Sequence, residues 1–317
     1  LYDRPEEFEV VAVNDLTDDP TIEYLLEFDT TFGRFKGCIR PGAPKGEFYV
    51  DDRRVALYSE RNPAGIPWKE HDVDIVLDST GVFRDKEKLA AHIEGGAKKV
   101  LLSAPAKGAI DATVVMGVNH DSLKAEDRFV SNASCTTNCL APVALLLDEH
   151  FGVERGFMTT IHAFTNDQRI LDLPHRDLRR ARGAANNMIP TTTGATTAVG
   201  KVIPQLAGKL AGMSIRVPVP DGSLVDLSVQ LKKSASVEEI NAVLEEASKE
   251  RFHNLMRYET KPMVSSDVIG QPYSSVVDAL STQVNGDMVK VLAWYDNEWG
   301  YSNRCADLMA HMANLGF

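Results

Sequence analysis

Two side chains in this chain have the types and settings for covalent chemistry, Cys135 in SNASCTTNCLAP and His162 in TTIHAF. Cys135 stands at the head of an apolar-faced helical run that continues through Leu145 to Leu147. Unpaired NH groups and partial positive charge at a helix amino end stabilise a thiolate. Pro142 removes one hydrogen bond from that helix. His162 closes a strand-like segment and opens a polar loop, where a base fixed on a scaffold reaches a site. A thiolate paired with a base attacks carbonyl carbon. Each residue alone also has a bland reading, an inert buried thiol and a satisfied structural imidazole. Cys139 lies one helical turn after Cys135, but no second pair of ligands stands at zinc spacing, so it reads as packing and no metal is expected.

Groups suited to anions surround this pair in the sequence. PTTTG, with Thr191 to Thr193 and Gly194, precedes a possible helix start and suits an anion, although turn or cap chemistry explains such threonines equally well. Arg216 interrupts the apolar strand-like MSIRVPVP, and a buried Arg almost requires an anionic partner. Asp15, at the end of the strand-like Phe8 to Asn14, stands where an acid binds adenosine ribose hydroxyls; a turn residue or helix cap is the alternative. Ser79, Thr80 and Gly81 end a second strand and Ser103 a third, the places that line a nucleotide crevice.

The elements behind these residues are those of two domains, as 317 residues suggest. Buried parallel strands are expected at Phe8 to Asp15, Val73 to Ser79, Lys98 to Ala104 and Thr113 to Asn119. Between them lie a helix capped by Asp19 with Ile22, Leu25 and Leu26 on one face, a Gly- and Pro-containing stretch, and KEKLAAHIEGGA, closed by Gly95 and Gly96. Beyond Cys135 come longer strands, a helix with the capping box Ser236 and Glu239, and a last helix from about Asn303 to Asn314. The fold class is α/β, a Rossmann-type doubly wound parallel sheet plus an α+β domain with a largely antiparallel sheet. The expected division is a nucleotide-binding domain over 1–134, completed by a C-terminal helix within 301–317, and a catalytic domain over 135–300.

Apolar and charged fractions of 44% and 25% are those of an ordinary globular protein. A net charge of -11 disfavours nucleic acid, whose phosphates need excess Lys and Arg. The basic run His175, Arg176, Arg179, Arg180, Arg182 reads as a solvated or subunit-contacting loop, with anion binding as its alternative. Four scattered cysteines suggest a reducing compartment, and no apolar run spans a bilayer, so a cytoplasmic location without membrane attachment is expected.

The strings SNASCTTNCLAP, TTIHAFTNDQ, RRARGAANNMIPTTTGA, RVPVP and WYDNEWGYSNR, in this order, resemble the glyceraldehyde-3-phosphate dehydrogenases over essentially the whole chain. The resemblance implies that Cys135 is the nucleophile, ion-paired with the base His162. It further implies phosphorylating oxidation of glyceraldehyde 3-phosphate with NAD through a thiohemiacetal and a thioester. Ser134, Thr136, Thr193 and Gly194 match the attacking-phosphate site, and Thr165 and Arg216 the substrate-phosphate site. Asn297 matches the residue that orients the nicotinamide carboxamide, with Tyr301 nearby, and Leu16, Leu173 and Pro174 match positions whose apolar character accompanies NAD preference. A homotetramer is implied, with the loop from about Thr165 to Pro190 near subunit contacts.

No GxGxxG occurs, and LYDRPEEFEVV resembles the end of that family's first helix. The expectation is that a polypeptide truly beginning at Leu1 is unstable and unable to oxidise substrate with NAD, because the glycine loop holds the pyrophosphate. RVPVPDGS departs from the commoner RVPTPNVS, Thr196 and Thr197 stand where small and basic residues are usual, and Trp299 is also unusual. Two other activities stay open, erythrose-4-phosphate dehydrogenation and cofactor-independent thiol hydrolysis.

Overall fold

Alternating apolar and polar residues in the strands, and capped amphipathic helices between them, fold into two compact units in the computed structural model, which describes every residue except Pro44. Pro44 belongs to the Gly- and Pro-containing stretch and lies outside the described residues. The first unit comprises Leu1–Ala112, Lys124–Ser131 and Met309–Phe317; the second comprises Thr113–Leu123 and Asn132–Leu308.

In the first unit, strand Ala12–Asn14 runs parallel to Arg53–Tyr58, which continues antiparallel through Glu47–Val50 to Ile39–Pro41. A second sheet sets Ile75–Asp78 and Phe129–Ser131 on either side of Lys99–Leu102, all parallel. Helix α1 (Asp19–Glu27) is capped by Asp18, whose side chain accepts from Thr21 N, so Asp19 is not the cap. Asp19 instead accepts from Gly46 N at 3.1 Å. Of the three residues expected on its inner face, Ile22 is buried, whereas Leu25 and Leu26 are exposed. Helix α2 (Lys86–Glu94) is capped by Asp85, and Gly95 and Gly96 end it, Gly96 at φ +108°.

The second unit is one sheet in the order Ile189–Thr191, Leu210–Val217, Val153–Ala163, Ser223–Leu231, Met288–Tyr295, Ser275–Asp278, Met256–Glu259, with Gln283–Asn285 also paired to Met288–Tyr295. Most neighbours are antiparallel; Met256–Glu259 with Ser275–Asp278 and Val153–Ala163 with Leu210–Val217 are parallel, and the register of the latter pair sets His162 directly beside Arg216. Helices α3 (Cys135–Phe151), α4 (Ala195–Val202) and α5 (Val237–Lys249) contribute to a common core with the inward residues of the sheet, among them Leu140, Leu147, Met158, Leu227, Leu244 and Val291. Burial of this apolar surface is the main favourable term in its folding. The expected capping box of α5 is present, Ser236 Oγ accepting from Glu239 N while Glu239 accepts from Ser236 N. Helix α6 (Trp299–Asn314) begins four residues before the expected start, its first turn held by Asp296 Oδ1, which accepts from Glu298 N and Trp299 N.

The strand expected over Thr113 to Asn119 is not formed beyond the two-residue Ala112–Thr113. Asn119 closes a turn instead, its amide accepting from Val115 N and donating to Thr113 O. Gly117 turns at φ +80° with Phe252 and Leu255 where a Cβ would stand, and the segment belongs to the second unit rather than the first. The bulk of α6, through Leu308, groups there as well, Arg304 reaching Ser274 and Cys305 accepting from Asn132.

Candidate active site

The site begins with a strained turn. Ala133 has φ +53°, a left-handed conformation that costs an L-residue about 1 kcal/mol. Tyr301 Oη donates to its carbonyl at 3.2 Å, and Asn138, from within α3, donates to the carbonyls of Asn132 and Ser134. These bonds hold the bend that makes Ser134 the N-cap, its Oγ accepting from Thr137 N at 3.1 Å. Cys135 is thereby the first residue of a seventeen-residue helix, beside its unpaired amino-terminal NH groups.

His162 comes to it along Val153–Ala163, with Nε2 3.5 Å from Cys135 Sγ. Its other nitrogen, Nδ1, lies 2.7 Å from Arg216 Nη1 and 2.7 Å from the Ala163 carbonyl oxygen, which itself accepts from Nη1 at 3.0 Å. A guanidinium only donates. The Ala163 carbonyl only accepts, so Nδ1 meets a donor and an acceptor at the same distance, and the two compete for its proton. Burial, and next the Arg216 charge, push the His162 pKa down to about 3. Burial also raises the Cys135 thiol, against the lowering pull of Arg216 and Thr136. While Arg216 stands here, burial works against charging either partner, and the guanidinium works against charge on His162 but favours it on Cys135.

Tyr295 supports both partners. Its hydroxyl bonds Thr136 Oγ1 at 2.8 Å and Thr160 Oγ1 at 2.9 Å, and its ring stands edge-on to His162 with centroids 5.9 Å apart. Ser223 joins the base to the next strand: Ala163 N donates to Ser223 Oγ at 3.1 Å, and that hydroxyl donates to Asn297 Oδ1 at 2.6 Å. Neither Tyr295 nor Ser223 was read from the sequence as a site residue. Parity offers a signal for both, since Val291 and Ala293 mark the inward face of Met288–Tyr295, and Val225, Leu227 and Val229 that of Ser223–Leu231. A polar group on such a face needs a partner.

The other expected residues fall into groups. Thr136 is buried with its hydroxyl on Tyr295, so it faces the supporting network as well as the thiol. Thr165 lies in the loop after Val153–Ala163, its carbonyl accepting from Gln168 N. Thr193 accepts from Ala195 N at the start of α4, and Gly194 precedes that helix with open space where a side chain would stand. Thr191 is a fastener, donating to Asp177 at 2.6 Å and accepting from Arg180 Nε at 2.9 Å. Arg180 also reaches the Thr192 carbonyl and forms an ion pair with Asp167, so one member of the basic run is built into this turn. Leu173 and Pro174 lie on the same loop, Leu173 exposed with its NH on Ala181 O, Pro174 accepting from Arg169 Nε. Cys139 is fully buried, with its thiol pushed up by burial.

In the first unit, Asp15 follows strand Ala12–Asn14 and is exposed, one carboxylate oxygen accepting from Thr17 N. Leu16 beside it is exposed too. Ser79, Thr80 and Gly81 follow strand Ile75–Asp78; Thr80 is pinned to Asp78 by its NH and hydroxyl, and Gly81 turns at φ +67° with nothing where a Cβ would sit. Ser103 follows Lys99–Leu102, its NH on Asp78 O. These positions share the carboxyl ends of parallel strands, where dinucleotides bind. An exposed acid for ribose hydroxyls and an open, side-chain-free turn fit NAD. Among the described residues no cluster of three metal-ligating side chains occurs, and no helix is long and apolar enough to cross a membrane.

Comparison with known proteins gives two matching family models. Residues 1–86 match "Glyceraldehyde 3-phosphate dehydrogenase, NAD binding domain", and residues 134–297 match "Glyceraldehyde 3-phosphate dehydrogenase, C-terminal domain". A glyceraldehyde-3-phosphate dehydrogenase 2 of Streptomyces avermitilis is 52% identical over 316 residues, spanning 99% of this chain and 93% of the relative. The glyceraldehyde-3-phosphate dehydrogenase of Geobacillus stearothermophilus is 52% identical over 312 residues, 98% of this chain and 92% of the relative. That of Pseudomonas aeruginosa is 52% identical over 302 residues, 95% of this chain and 89% of the relative.

Proposed function

The chain belongs to the glyceraldehyde-3-phosphate dehydrogenase family, an NAD-dependent oxidoreductase, and from that premise we propose that it oxidises glyceraldehyde 3-phosphate to 1,3-bisphosphoglycerate with inorganic phosphate, through covalent chemistry on Cys135. The observation that carries the reading is the thiol at the first position of α3, 3.5 Å from the His162 ring whose far nitrogen meets Arg216.

The substrate phosphate draws Arg216 toward itself, with Thr165 as a second partner. Released from the guanidinium, the neutral His162 ring holds its one proton on Nδ1, donated to the Ala163 carbonyl at its present 2.7 Å. Nε2 is then the lone-pair nitrogen and accepts the thiol proton. The thiolate adds to the aldehyde carbon, and the resulting alkoxide of the thiohemiacetal is held by the Cys135 backbone NH and the His162 ring. His162 orders proton movement while the carbon becomes a thioester. NAD, when bound, supplies the hydride acceptor. Inorganic phosphate, received by Ser134, Thr136, Thr193 and Gly194, attacks the thioester carbonyl; the carbon–sulfur bond breaks, giving the acyl phosphate and returning the thiolate.

Asp15, with Leu16 beside it, would hold the adenosine ribose of NAD, Ser79, Thr80, Gly81 and Ser103 would line its crevice, and Asn297 would orient the nicotinamide carboxamide, with Tyr301 nearby. Leu173 and Pro174 favour NAD over its phosphorylated form. Exposed Ile170, Leu171, Leu178 and Met188 on the loop of Leu173 support assembly as a homotetramer. Nicotinamide reduction followed by absorbance, with and without inorganic phosphate, on both glyceraldehyde and erythrose phosphates tests the reading. Phosphate-dependent reduction with glyceraldehyde 3-phosphate, lost in Cys135→Ser, is expected. Phosphate-independent acid formation, or faster turnover of erythrose 4-phosphate, would overturn it.

A further inference from the structure

We infer that Ser223 is a positioning residue that fixes which end of the Asn297 amide faces the nicotinamide carboxamide. The inference rests on the reading of Asn297 as the carboxamide partner. An asparagine amide has an accepting and a donating end, and a rotation of half a turn exchanges them. Ser223 decides between the two. It is 1% exposed, its oxygen accepts from Ala163 N at 3.1 Å, and its one proton goes to Asn297 Oδ1 at 2.6 Å. Turning the amide over would leave that buried hydroxyl proton without its acceptor, a loss that buried polar groups rarely tolerate. Oδ1 is thus held inward, and Nδ2 is the end available to a ligand, so Asn297 offers a donor and selects the carboxamide carbonyl oxygen. The same hydroxyl is bonded to the residue after His162, so a single side chain relates the orienting amide to the base.

The test compares NAD with its 3-acetylpyridine analogue, which keeps the ring carbonyl and lacks the carboxamide nitrogen, by calorimetric binding to the full chain. In the unaltered protein Nδ2 serves both ligands through the carbonyl. In Ser223→Ala the Asn297 amide turns freely; the carboxamide of NAD can turn with it, but the analogue has no donor to offer. The analogue should weaken about 2-fold, because only the half of the amides that presents Nδ2 can receive it, and NAD should bind as before. Ser223→Cys, with a weak donor of similar size, should fall between. On an Asn297→Ala background Ser223→Ala should change neither affinity, because the serine acts only through the amide. Equal losses for both ligands, or losses that add to those of Asn297→Ala, would mean a general structural role and overturn the inference. Unchanged binding in Asn297→Ala alone would instead overturn the placement of Asn297 at the carboxamide.

Discussion

Replacing Arg216 by Leu removes the guanidinium that lies 2.7 Å from His162 Nδ1. Two unit charges about 4 Å apart repel by about 4 kcal/mol at an effective dielectric constant near 20. At about 1.4 kcal/mol per pKa unit, that amounts to about 3 units as an upper bound. Arg216 is only partly buried, so water screens part of this, and burial, the larger cause, stays in the variant. The His162 pKa should therefore rise from about 3 by about 1 to 2 units without reaching the ordinary histidine value. The thiol responds in the same direction for the opposite reason, because it loses a charge that stabilises thiolate. Nitrogen NMR of isotope-labelled histidine in phosphate-free buffer, assigned with His162→Asn, reads both the pKa and the protonated nitrogen. Alkylation of Cys135 by a neutral reagent reads the thiolate. In the unaltered protein, added phosphate should move His162 upward by engaging Arg216; in Arg216→Leu it should have no effect. A His162 pKa that stays constant or falls on removal of the guanidinium would refute the reasoning.

Tyr295→Phe keeps the ring against His162 but leaves the Thr136 and Thr160 hydroxyls without their shared partner; chemical denaturation should show a loss of about 1 to 3 kcal/mol. Gly117→Ala combines a left-handed φ with a Cβ 2.8 Å from Phe252 and Leu255, and should destabilise the second unit by about 2 kcal/mol or more in the same measurement. Asp221, where the related strings have Asn, is pushed up to about 7 by burial and by the Asp296 charge. The folded chain therefore holds a proton there that the unfolded chain releases near pH 4, so stability should fall as pH rises from about 4 to about 7 and level off above. Thermal melts across that range should show the slope reduced in Asp221→Asn, with the variant the more stable at pH 8.

Local chemistry made several features legible. Ser134 and Ser236 are small hydroxyl residues directly before apolar-faced runs, and both cap helices as such residues do. Arg216 stood out because an apolar strand has few uses for a guanidinium. The misreadings are also local. VVMGVN has the composition of a strand, but period alone cannot distinguish a buried strand from a buried turn, and the Asn119 bonds decided for the turn. Asp18 and Asp19 are both competent caps, and the choice went to the one whose carboxylate meets Thr21 N, leaving Asp19 for Gly46.

The sequence by itself determined that a thiol heads a helix, that a base ends a strand, and that the whole resembles one family closely enough to assign NAD chemistry. Those are properties of segments a few residues long. Only the tertiary structure decided how the thiol and base are tuned, because their partners arrive through strand order. Parallel pairing of Val153–Ala163 with Leu210–Val217 set the Arg216 charge on His162, and the strand next in register brought Ser223 to Ala163 and Asn297. Tyr295, 160 positions beyond Cys135, reached Thr136 by the same route. Register is a property of the whole sheet, fixed by which faces it buries, and no short stretch of sequence contains it.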